Sequence, residues 1–141
     1  LCGPPPYYCD REEMDVKCKT AEIKVPVSDW KNIGSDEKEL TSILMETGPL
    51  SALLDASQLQ YYKSGVWTGS KKGATKVGGC GKSYLNHAVL MVGFGVDEET
   101  GLEYWRIKNS WAESWGEDGY FKIVRGEGMC GINTEVTTSR V

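Results

Sequence analysis

The sequence predicts an α+β domain: a small antiparallel β-barrel with short helices at its periphery. Three observations carry that expectation. Apolar runs of strand length recur after residue 50, and most of them end at Gly-rich turns. Only one stretch, residues 35–48, shows a clear helical stripe with start and stop signals. Long polar loops join the rest, so no second helical layer is available to cover a parallel sheet.

Residues 1–19 read as an irregular cysteine-containing segment, and residues 20–141 as the domain. Gly3-Pro4-Pro5-Pro6 excludes a helix and favours an extended chain. The segment is either held by its cysteines and aromatics or frayed, as chain ends often are. Ile23, Val25 and Val27 alternate with polar residues, which fits an edge strand that tolerates Pro26. Ser35 suits an N-cap, and Asp36 and Glu37 suit the positive end of the following helix. Leu40, Ile43, Leu44 and Thr47 fall on one face of it, and Gly48-Pro49 stops it.

Leu50 to Asp55 reads as a buried strand, Leu59 to Tyr62 as one helical turn and Val66-Trp67 as a short strand. Residues 68–82 form a loop. From Leu85 the strands resume. Strict alternation puts Val89, Met91 and Gly93 on one face with His87, and Ala88, Leu90, Val92 and Phe94 on the other. Residues 97–101 form a hairpin tip in which Gly101 takes positive φ. Glu103 to Lys108 and Tyr120 to Val124 are the next strands.

Length and composition set bounds. A chain of 141 residues is about one domain and can bury its own core. Hydrophobic residues at 40% and charged residues at 26% give a globular balance. No apolar run reaches the ~20 residues of a membrane span, so no membrane partner is expected. No signal-peptide pattern stands at the front, so the chain lacks its own export address or is a mature fragment. The net charge is −4 and the cations are scattered, which disfavours nucleic acid. Lys71, Lys72 and Lys76 cluster in a Gly-rich loop, as a solvated loop or an anion site. Five cysteines point to an oxidising compartment, and their odd number leaves at least one without a partner inside the chain. With no CxxC pair, neither a metal site nor redox chemistry is expected, and nothing calls for a cofactor.

The chemistry concentrates between Asn86 and Tyr120. His87 is the only histidine and opens one strand; Asn109-Ser110-Trp111 closes the next. An antiparallel pair can set His87 beside Asn109 with Trp111 over both. An imidazole oriented by an amide and roofed by an indole is half of a nucleophilic catalytic site. Taken singly, the histidine and the asparagine are more often structural.

Taken together, these residues resemble the papain-like cysteine proteases. Asn86-His87-Ala88-Val89, Val92-Gly93-Phe94-Gly95, Tyr104-Trp105, Lys108-Asn109-Ser110-Trp111, Trp115-Gly116, Gly119-Tyr120 and Cys130-Gly131 occur in that family's order. Gly48-Pro49 before an apolar strand matches too. The resemblance covers residues 18–141, is closest to the cathepsin L and F branches, and implies the C-terminal, right-hand β-barrel domain of such an enzyme.

The resemblance implies roles as well. His87 would be base and acid to a cysteine thiolate, and Asn109 its orienter. Trp111 would shield their hydrogen bond, with Trp115 on the leaving-group side. A thiolate beside an imidazolium has a strongly lowered pKa and is the attacking species. Leu53, Leu85, Asn86 and Ala88 would contribute to substrate binding. Glu135 would floor the S2 pocket, admitting Arg or Lys beside bulky apolar P2 residues, or else be an ordinary solvated acid. Cys80 and Cys130 would form the family's bridge. Cys18 would pair into the other half of the enzyme or stay a buried thiol, and Cys2 and Cys9 would pair together or reach across.

Two departures stand out. Ala112 occupies a position where the family has Gly, and a small local change is expected from it. The family's Cys-Gly-Ser-Cys-Trp nucleophile motif and its oxyanion glutamine do not occur in this sequence. The resemblance therefore implies two partners: a helical N-terminal half that brings the thiol, with Cys18 as the candidate bridge to it, and a peptide substrate. The implied location is a lysosome, another acidic vesicle or the outside of the cell. The alternative from a different class is an inactive module that binds peptides or a protease.

Overall fold

In the computed structural model, which describes residues 27–69 and 80–140, the first strand is β1 (Asp29–Ile33). Helix α1 (Glu37–Thr47) follows, then β2 (Leu50–Leu54), a 3-10 turn at Leu59–Tyr61 and β3 (Val66–Trp67). The long β4 (His87–Val96), β5 (Glu103–Lys108) and β6 (Tyr120–Val124) come next. A 3-10 turn at Met129–Gly131 and β7 (Val136–Arg140) complete the order. The expectations for residues 1–26, the lysine cluster, Cys2, Cys9 and Cys18 lie outside the described residues.

The seven strands make one sheet in the order β1-β7-β2-β4-β5-β6-β3. Every pairing is antiparallel except β3 on β6. The expected barrel is not closed. Among the described residues β1 and β3 are free edges, and no ladder joins them. β3 is only two residues long and spends its ladder on β6.

Leu50, Ala52 and Leu54 alternate with exposed Ser51 and Leu53, so β2 buries one face. Across the ladder these three oppose Met91, Val89 and His87. His87 therefore stands on the core face, at its rim. Beyond Met91 the simple alternation fails. A bulge between Met91 and Gly93 shifts the register against β5, and Phe94 opposes the fully buried Trp105. One extra residue turns every later side chain to the other face. Phe94 thus shares the face of Trp105 while staying exposed, and Gly93 stands opposite Arg106, the reverse of the expected assignment.

Helix α1 lays Leu40 and Leu44 into this core, with Ile43 partly buried beside them. Thr47, expected on the same stripe, is exposed; its hydroxyl donates to the Ile43 carbonyl at 2.9 Å. The N-cap is Asp36 rather than Ser35. The Asp36 carboxylate accepts from the Lys38 N–H at 2.9 Å, because the chain turns helical one residue later than expected. Glu37 does more than face the helix dipole. Its buried carboxylate accepts from Trp105 Nε1 at 2.7 Å and from the Gly126 and Gly128 N–H groups. An acid in the first helical turn thereby pins α1 to β5 and to the loop after β6.

Candidate active site

His87 enters β4 from a loop held at three points. Asn86 N–H donates to the Leu54 carbonyl at 3.1 Å, and Asn86 Oδ1 accepts from the Ala56 N–H at 2.9 Å. The third point is Asp55, almost wholly buried at the end of β2. Its carboxylate accepts from Gly81 N–H at 2.6 Å and Ser57 N–H at 2.9 Å, and from the Ser57 hydroxyl. Its own N–H donates to the Cys130 carbonyl at 2.9 Å. Burial pushes the Asp55 carboxyl up, but the donors at Ser57 and Gly81 outweigh it and hold the group below the usual carboxylate range. The Cys80–Cys130 disulfide staples the same loop to the turn at Met129–Gly131.

Asn109 leaves the far end of β5, where its N–H donates to the Gly119 carbonyl at 2.9 Å. Its side chain is buried, and Oδ1 lies 2.8 Å from His87 Nε2. The same oxygen accepts from the Ser110 N–H at 2.8 Å. A backbone N–H can only donate, so Ser110 decides which end of the amide faces it. With the amide oxygen thus placed, His87 Nε2 must carry the hydrogen. Nδ1 is left as the basic nitrogen.

The roof is aromatic. The Trp111 ring centre is 4.9 Å from that of His87, tilted by 32°. Trp115 meets Trp111 edge-on at 5.1 Å. The loop carrying both indoles is closed by Trp115 N–H on the Ala112 carbonyl at 3.3 Å and Gly119 N–H on the Trp115 carbonyl at 2.8 Å. Ala112 in this loop has φ of +73°. The departure from the family's glycine therefore falls on a left-handed backbone: a β-carbon is held where glycine is normally favoured.

The remaining candidates gather in two places. Leu53 opposes Ala88 on the exposed side of the β2–β4 ladder, and the Leu53 N–H donates to the Glu135 carbonyl at 3.1 Å. Leu53, Ala88 and Glu135 are all exposed there. Leu85 packs over Gly131, whose missing β-carbon would stand 2.8 Å from Leu85 Cδ2. Asn86 is different: its side chain is spent on Ala56 and, at 3.4 Å, on the Ser57 hydroxyl. Beside Asn109, a shallow hollow of about 380 Å³ is lined by Ser51, Ala88, Leu90, Lys108 and Ser110. Two buried donors near the site, Asn109 Nδ2 and Trp115 Nε1, meet no acceptor among the described residues.

Sequence reasoning missed Asp55 and the Ser110 N–H. The pattern Asp55-x-Ser57 was a readable signal, since an Asp commonly accepts from the backbone two residues on. The backbone donor at Ser110 has no sequence signal.

The family model described as papain family cysteine protease matches residues 4–140. The chain belongs to the papain family of cysteine proteases. It is 39% identical over 131 residues to cysteine proteinase 15A of Pisum sativum, covering 88% of this chain and 34% of that protein. It is 34% identical over 118 residues to cathepsin F of Mus musculus, covering 84% of this chain and 24% of that protein. Among solved structures, digestive procathepsin L2 proteinase of Tenebrio molitor larval midgut superposes with a TM-score of 0.73 at 32% identity. That match covers 84% of this chain and 36% of the other. The chain thus spans a quarter to about a third of the length of these papain-family relatives. The expected likeness to cathepsin L- and F-type enzymes agrees with them, and the fold is that of the family's C-terminal domain.

Proposed function

We propose that this chain is the histidine-bearing half of a papain-type cysteine endopeptidase. The thiol and the oxyanion donors come from an N-terminal half, joined in one polypeptide or bridged through Cys18. The observation that carries the reading is the shared oxygen of Asn109. By accepting from both Ser110 N–H and His87 Nε2–H it leaves Nδ1 as the basic nitrogen. A thiol arriving there gives its proton to Nδ1, and the resulting thiolate attacks the scissile carbonyl. The imidazolium then returns the proton to the leaving amine. Trp111 keeps water off the Nε2–H···Oδ1 bond throughout.

The nearness of exposed Leu53 and Ala88 to the Glu135 backbone supports a P2 site with Glu135 as its acid. An apolar wall ending in a carboxylate accepts a bulky apolar P2 side chain or pairs with a guanidinium. The contact of imidazole, amide and indole supports the enzymatic reading over the inactive-module alternative.

The test combines this chain with a thiol-bearing half and follows cleavage of a fluorogenic peptide. The assembly is expected to turn over while the 15.6 kDa chain alone does not. Asn109→Ala is expected to lower kcat by about a hundredfold, the cost of a misplaced base. Turnover by the chain alone, or full activity in a His87→Ala assembly, would overturn the reading.

A further inference from the structure

We infer that Tyr62 is a positioning residue for the roof over His87, acting through Trp115 and Trp111. The inference rests on the proposed proteinase reading and deepens it.

From His87 the rings form an unbroken line. Trp111 lies 4.9 Å away, Trp115 follows at 5.1 Å, and Tyr62 ends the line at 5.6 Å. Phe121 closes a triangle at its far end, 5.8 Å from Trp115 and 6.0 Å from Tyr62. Trp115 cannot fix itself, because its indole N–H meets no acceptor among the described residues. Its position therefore depends on the rings packed against it.

At the end of the line away from the histidine, Tyr62 is anchored by its own polar atom. Its hydroxyl donates to the Gly65 carbonyl at 2.8 Å and accepts from the Lys122 N–H at 3.3 Å. The first bond ties it to the turn before β3 and the second to β6. Burial pushes the hydroxyl up to about 12, so it keeps its hydrogen and donates across the working range. The ring is buried and also fits the Trp115–Gly116 step. A β-carbon on Gly116 would lie 3.4 Å from Tyr62 Cδ1 and Cε1, and only 2.6 Å from the Tyr120 carbonyl. Glu117 repeats the link from the other side, accepting from the Gly65 N–H at 2.8 Å. The turn at Gly65 is thereby tied both to Tyr62 and to the indole-bearing loop, on the side of Trp115 away from the histidine.

Aromatic pairs of this kind stabilise by ~0.5–1.5 kcal/mol beyond the area they bury, enough to set the orientation of an exposed loop. Removing the ring leaves Trp115 without its lateral support. Trp111 then tilts away, and water reaches the His87 Nε2–H. Substrate binding on the Leu53–Ala88 side is untouched.

The experiment uses the assembled proteinase with Tyr62→Leu and Tyr62→Phe. Two quantities are read: kcat against KM, and solvent exchange of the His87 Nε2–H proton, assigned by its loss in His87→Ala. Tyr62→Leu is expected to lower kcat about tenfold with KM within about twofold, as a mispositioned base requires. It is expected to speed the imidazole proton's exchange about tenfold by opening the roof. Tyr62→Phe, which keeps the ring, restores both to within about threefold. Leu59→Ala, a buried truncation one turn earlier, serves as the control for general loosening.

Unchanged proton exchange in Tyr62→Leu would overturn the role, and so would an equal change in Leu59→Ala. Tyr62→Met carries the same expectation if Leu prevents folding. A wild-type assembly that cleaves nothing would sink the proteinase reading instead, and the imidazole proton would still decide the role of Tyr62.

Discussion

The Oδ2 atom of Asp55 lies 2.6 Å from the backbone nitrogen of Gly81, joining the end of β2 to the loop that delivers His87. Cys80, next in the chain, is bonded to Cys130, and the Asp55 N–H donates to the Cys130 carbonyl. One buried carboxylate and one disulfide therefore hold three segments at a single point.

This arrangement has a pH signature. The Asp55 carboxyl is held below its unfolded value, so its contribution is fully present above the unfolded pKa of ~3.9 and is lost as pH falls through the folded one. Asp55→Asn is expected to destabilise the domain by about 1.5–3 kcal/mol at pH 7 and at pH 5. At pH 2.5 the gap narrows. Thermal melts at the three values check this, and a gap independent of pH would contradict the role given to the charge.

Ala112 yields a prediction of opposite sign. With φ at +73°, its methyl costs about 1 kcal/mol relative to glycine. Ala112→Gly is expected to raise stability by about that amount in urea unfolding, and Ala112→Val to lower it further. An Ala112→Gly variant less stable than the parent would show that the loop accommodates the β-carbon.

Glu135 governs the proposed choice at P2. Glu135→Ala in the assembled proteinase is expected to cut kcat/KM for an Arg-P2 peptide about tenfold, near 1.4 kcal/mol, while leaving a Leu-P2 peptide within about twofold. Paired assays on the two peptides decide it. Equal losses on both would assign Glu135 a structural part.

Much of this was readable from the residues. The apolar stripe of α1, the short strands at Leu50 and Val66, and the β4–β5 hairpin with Gly101 at φ +68° follow from local pattern and turn chemistry. So does the pairing of His87 with Asn109, once both strands are in register. What escaped depends on distant partners. β1 is an exposed polar edge in which only Ile33 is buried, so it carries no alternation to read. β7 was equally silent, with a short polar run. The bulge after Met91 comes from the fit of β4 to β5, and no residue type announces it. Glu37 looks like any first-turn acid until Trp105, Gly126 and Gly128 arrive from far along the chain.

The amide at 109 takes its orientation from the very next peptide unit, not from anything across the cleft. The hydrogen on Nε2 is consequently kept in place whenever this domain is transplanted. Chimeras built with foreign thiol donors would keep the same tautomer, and differences in vigour between such hybrids would trace to the graft and not to the histidine.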